Sequence, residues 1–143
     1  MPIRRVSMVL AAALGISVTS SLAADVPDLT GTWTGDPTGG VRFGGGDLAP
    51  ADATPAFVHA EGRPPYTLTI ARQEGRGLMG TWGSVDGSEA LQGVIRLDDT
   101  EILFVDEDSF FHARLVSPTE MEFCNQTLAP DERMTLCFLL EKQ

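Results

Sequence analysis

What most constrains this chain is a rhythm. From residue 29 onward, short runs alternate apolar and polar side chains, and nearly every run ends in a cluster of Gly, Asp, Asn, Ser or Pro. A period of two puts every second side chain on one face of a pleated strand, and the spacing of three and four that marks a helix is nearly absent. Eight such runs stand out: 29–34, 66–72, 77–85, 89–97, 101–105, 109–116, 120–125 and 134–141. Between them, Gln73-Glu74-Gly75-Arg76, Asp86-Gly87-Ser88, Asp98-Asp99-Thr100, Asp106-Glu107-Asp108 and Ser117-Pro118-Thr119 carry the residues of tight hairpin turns. Hairpin after hairpin makes a meander. Eight strands in that order close most economically into a cylinder, because pairing the first strand with the last removes both exposed edges. The expected fold class is therefore all-β: an eight-stranded antiparallel up-and-down β-barrel.

Alternation also assigns faces. Tyr66, Leu68 and Ile70 share one face, as do Leu78, Gly80 and Trp82; Leu91, Gly93, Ile95 and Leu97; Phe111, Ala113 and Leu115; Met121 and Phe123; and Leu136, Phe138 and Leu140. Thr67, Thr69, Thr81, Gln92, Arg96, Arg114 and Glu122 fall on the opposite, watery face. The interior is expected to be almost wholly apolar.

The two cysteines test this scheme. Placing Cys124 opposite Cys137 in the last hairpin sets Phe123 against Phe138, Met121 against Leu140 and Glu122 against Leu139. The sulfurs then lie outside and the bulky pairs inside. A disulfide closing this loop would add roughly 3 kcal/mol in the chain-entropy model. There is no Cys-x-x-Cys, so redox catalysis and zinc binding lack their usual spacing.

Residues 1–24 read as an address: Arg4 and Arg5, an apolar stretch from Val9 to Val18, then small residues ending in Ala23-Ala24. That is the three-part pattern of a signal peptide, with cleavage after Ala23 or Ala24, and the apolar stretch falls short of the ~20 residues of a membrane span. Residues 25–143 are then one exported domain, expected in the periplasm or outside the cell. The whole chain carries −10, and losing Arg4 and Arg5 makes the domain more acidic still. A net anion is a poor partner for nucleic acid or for an anionic membrane.

The segment from Gly35 to Pro65, rich in Gly and Pro, breaks the rhythm and reads as a long loop, either a lid over one barrel mouth or an idle linker. No phosphate-binding spacing accompanies its glycines.

Leu29-Thr30-Gly31-Thr32-Trp33, echoed by Leu78-Met79-Gly80-Thr81-Trp82, opens the meander with a Gly-x-Trp. In this the chain resembles the calycin superfamily, the lipocalins and avidin-like barrels. The resemblance implies a barrel that holds a small molecule in its mouth beneath its first long loop. Thr34-Gly35-Asp36 stand where the avidin pattern places an Asn and a nearby Ser, so the resemblance does not extend to biotin.

The candidate ligand-binding residues are Trp33, Tyr66, Gly80, Trp82, Gly93, Phe111 and Phe123: aromatic walls, with glycines that remove bulk between them. The alternative is that the small residues only make room for the two indoles. No cofactor, metal site or catalytic residue is expected. Asp98-Asp99 and Asp106-Glu107-Asp108 fall in turns and read as solvated surface, and the latter lacks the Gly and terminal Glu of an EF-hand loop. His59 and His112 have no neighbouring ligand at metal spacing, and Asn125-Gln126-Thr127 is a formal glycosylation sequon. The expected function is binding of a small apolar molecule in the barrel mouth, without enzymatic activity. The alternative is an interaction module such as a barrel-type inhibitor of a secreted hydrolase, its protein partner unspecified.

Overall fold

The structure is a computed structural model and describes residues 26–44, 55–59, 61–129 and 132–143; the signal-like segment and the middle of the 35–65 segment lie outside them. Ten strands form: β1 Gly31–Gly35, β2 Pro37–Gly44, β3 Ala56–Val58, β4 Tyr66–Glu74, β5 Gly77–Ser84, β6 Gly87–Ile95, β7 Glu101–Val105, β8 Ser109–Ser117, β9 Glu120–Leu128 and β10 Glu132–Lys142. All are antiparallel to their neighbours, and β1, β4 and the six strands after it form a cylinder. Its seam is the pairing of β1 with β10, where Trp33 meets Lys142 and Thr34 meets Glu141. The eight-stranded barrel is closed, as the alternation predicts.

The 35–65 segment is not a plain loop. Pro37–Gly44 runs straight on from β1 past Asp36 and pairs with the first half of β10, from Phe138 to Glu132. Ala56–Val58 then pairs with β2 on its free side. The glycines and prolines hid this strand. What organises it is the long β10, whose edge extends beyond the end of β1 and needs a partner for its backbone groups.

The interior is solid. Trp33, Leu68, Ile102, Ala113, Met121, Phe123 and Leu140 are fully sealed, and Phe111, Leu136 and Phe138 nearly so. The predicted faces hold strand by strand, with Leu115 half-buried; the exception is Leu97, which falls beyond the end of β6 and is exposed. In the last hairpin Cys124 pairs with Cys137, Phe123 with Phe138, Met121 with Leu140 and Glu122 with Leu139, the expected register. The Cys124–Cys137 disulfide is formed. Among the described residues no helix is long and apolar enough to cross a membrane.

Candidate functional site

The strand order gives the barrel two different ends. At one end the chain enters through Pro27, Asp28 and Leu29 and closes the cylinder. Leu29 is buried and its carbonyl accepts from Trp33 Nε1 at 3.0 Å. Gln73 ties the entry down, its Oε1 accepting from Leu29 N and its Nε2 donating to the Pro27 carbonyl, both at 2.9 Å. Lys142 donates to the Asp28 carbonyl at 3.1 Å and lies over the Trp33 ring.

Among the described residues nothing caps the opposite end. A concavity of about 430 Å³ lies there, between the β5–β6 turn, the β7–β8 turn and the start of β10. Its floor is aromatic: Tyr66 stacks on Trp82 with ring centroids 5.2 Å apart, and Phe111, Phe123 and Phe138 pack around the indole from below. Its rim is acidic, formed by Asp86, Glu89, Asp106, Asp108 and Glu132, and among the described residues no Lys or Arg lines it. Glu132 is paired with Arg42 of β2 at 2.7 Å. Oxygens of Glu89, Asp106 and Asp108 all lie within 4.8 Å of one another. Burial, and then the nearby charges of Asp106, Asp108 and Glu107, hold the Glu89 carboxyl above the usual range.

Between floor and rim runs a polar chain. The Ser109 hydroxyl reaches Asp108 Oδ1 at 2.9 Å and Thr127 Oγ1 at 2.9 Å, and Thr127 Oγ1 lies 3.3 Å from Asn125 Oδ1. Asn125 sits two residues deeper than Thr127 on β9, in phase with the inward Phe123 and Met121, and is more than nine-tenths buried. Among the described residues its Nδ2 has no partner.

The sequence-predicted residues divide accordingly. Tyr66 and Trp82 line the mouth. Trp33 lies at the closed end, and Phe111 and Phe123 belong to the solid core. The volume left by the two glycines is occupied. A Cβ on Gly80 would overlap the Thr69 carbonyl of β4, and one on Gly93 would overlap the Phe104 ring. The bulk removed at Gly93 therefore serves Phe104 rather than an indole. Gly93 also borders a separate concavity of about 400 Å³ on the outer wall, beside Leu78 and Met79.

Sequence reasoning missed the inward polar belt. Glu89 is in phase with Leu91, Asp106 with Phe104, Ser109 with Phe111, and Asn125 and Thr127 with Phe123. Extending each apolar face by one step toward the same set of turns would have found it. The expectation of an almost wholly apolar interior thus holds for the core and not for the mouth. The chain matches no protein-family model, no curated protein and no solved structure.

Proposed function

We propose that this protein is an exported, calycin-like binding barrel whose ligand sits in the open mouth on Tyr66 and Trp82, not along the barrel axis. The observation that carries this reading is the mouth itself: about 430 Å³, floored by stacked rings, with a buried amide whose outer end has no partner among the described residues. Concave sites with an apolar floor and few convergent polar groups are the usual form of small-molecule pockets. Among the described residues the lining contains no imidazole and no thiol, and its buried hydroxyl, Ser109, is hydrogen-bonded to the Asp108 carboxylate and the Thr127 hydroxyl. Binding without catalysis fits that inventory better than acid–base or nucleophilic chemistry. The disulfide suits an oxidising compartment, in keeping with export.

The test is amide-resolved NMR of the mature domain against a panel of small aromatic fragments. Saturable shifts confined to Tyr66, Trp82, Asn125 and the adjacent turns are expected. A panel that leaves the mouth unperturbed overturns the reading.

A second reading has its own observation. Phe57, Val41, Phe110 and Val105 lie along one register row of the outer wall, with Thr135 and Gln126 between Val41 and Phe110, and Phe57, Phe110 and Leu128 are 78%, 61% and 68% exposed. An apolar strip of this kind suits a protein-binding barrel. Native mass spectrometry of protein from its own host separates the two, since a retained small molecule favours the mouth and an empty barrel favours the strip.

A further inference from the structure

Hydrogen-bond arithmetic at the mouth says more about the ligand. The chain Asp108–Ser109–Thr127–Asn125 has three contacts, and the two hydroxyls supply two protons. An ionised Asp108 supplies none. The third proton must come from the Asn125 amide. Turning that amide over, so that Nδ2 donates to Thr127 Oγ1, completes the chain in one direction: Asn125 to Thr127 to Ser109 to Asp108. The 3.3 Å separation lies nearer the N–H···O range of ~2.7–3.2 Å than the hydroxyl range of ~2.5–3.0 Å. The end of Asn125 left unpartnered in the mouth is then its carbonyl, an acceptor.

With that orientation the floor offers a carbonyl and the rim the carboxylates Glu89, Asp106 and Asp108; the hydroxyls of Tyr66, Ser84 and Ser88 can donate, but among the described residues no cationic side chain lines the mouth. Building on the mouth-binding reading above, we infer that the ligand is a small organic cation: a protonated amine with an apolar body, its ammonium at the carboxylates and its body on Tyr66 and Trp82.

A bare divalent cation fits less well. Calcium takes ~6–8 oxygen ligands. Here Asp106 Oδ1 already accepts from Ser109 N at 2.7 Å and Asp108 N at 3.2 Å, and Asp108 Oδ1 from the Ser109 hydroxyl. The Asn125 carbonyl lies at the far end of the hydrogen-bonded chain, and its residue is about 7 Å deeper along β9 than Thr127. An extended ligand spans both features, whereas a single ion at the carboxylates does not.

The test uses phenethylamine as probe, with 2-phenylethanol as its neutral counterpart and calcium chloride as the metal control, followed by NMR of the mature domain. The amine should bind about tenfold or more tighter than the alcohol at low salt. That advantage should shrink in high salt and disappear in a Glu89→Gln/Asp106→Asn double variant. Asn keeps an oxygen for the Ser109 and Asp108 amides. If the variant does not fold, the salt dependence of the unmodified protein decides. Equal binding of amine and alcohol overturns the cation and leaves the mouth reading standing. Calcium shifts without amine shifts overturn it in favour of a metal site. Silence from all three probes overturns both.

Discussion

The two ends of this barrel are built from the same hairpins and finish in opposite electrostatic states. At the closed end four carboxylates each have a donor or a cation. Asp28 accepts from the Thr30 amide and hydroxyl, Asp98 from the amides of Thr100 and Glu101, Asp99 pairs with Arg76 at 2.7 Å, and Glu101 pairs with Arg96. At the open end Asp106 accepts from the amides of Asp108 and Ser109 and Asp108 from the Ser109 hydroxyl, but among the described residues only Glu132 of the five rim carboxylates has a cation, Arg42. The tryptophans divide the same way. Trp33 and Trp82 stand in the same Gly-Thr-Trp phrase, yet one is capped by Leu29 and Lys142 and the other reaches the mouth. Local sequence sets strand and face. Which end closes depends on where the chain enters. The closed end is tied down by its own donors and cations, while among the described residues the other end keeps a cluster of carboxylates without a cation.

The sharpest way to break this comparison is to remove the plug. Trp33→Ala should cost about 3–5 kcal/mol in urea unfolding, because the indole is fully sealed and its Nε1 anchors Leu29. Trp82→Phe keeps a ring among Phe111, Phe123 and Phe138 and should cost clearly less. Equal losses would mean that the open end is packed as tightly as the closed one.

The disulfide sharpens it next. Of the loop it closes, residues 125–129 and 132–136 are described, and Asn125, Thr127 and Glu132 among them line the mouth. A Cys124→Ser/Cys137→Ser variant should lose roughly 3 kcal/mol. Amide exchange should quicken first at the β9–β10 end of the mouth, and uniform acceleration would deny that the mouth is the looser region. A smaller effect is expected from Gly93→Ala, about 1–3 kcal/mol, since Phe104 has to leave its place over β6. A neutral Gly93→Ala would show that the wall has room to spare.

These residues also show how much of the molecule the chain announces. Period-two alternation was enough for the eight barrel strands, and Cys124 and Cys137 fixed the last register, because a one-residue slip would turn every core side chain outward. β2 was illegible. Its Gly39-Gly40 and Pro37 are poor strand formers, and it is a strand only because β10 overhangs the barrel and offers it backbone partners. The candidate site was half legible. Aromatic residues announce themselves, so Tyr66 and Trp82 were found, along with others that turned out to be core. The acidic belt was not, because Asp106 and Asp108 look like any solvated turn until β6 brings Glu89 beside them. That meeting is a tertiary event between residues far apart in the chain.

The smallest effect has opposite signs at the two ends. Glu89 is held above its ordinary value of 4.5, by burial first and then by its acidic neighbours, so its protonated form is the one the fold favours. The stability it contributes is complete below the ordinary value and is lost as pH rises through the raised folded value. Asp28 is held below its ordinary 3.8, by the Thr30 hydroxyl first and then the Thr30 amide. Its contribution is complete above the ordinary value and is lost as pH falls through the lowered one. Glu89→Gln should therefore match the unmodified protein near pH 4 and exceed it at neutral pH, by roughly a few tenths of a kcal/mol because the carboxyl is exposed and screened. Asp28→Asn should be the less stable protein at neutral pH, with the deficit closing as acid protonates the native carboxyl. Urea midpoints at the two pH values read both. A Glu89→Gln variant that loses stability at neutral pH would mean that the fold itself needs this charge, and the acceptors at the mouth would then be as fully used as those at the plug.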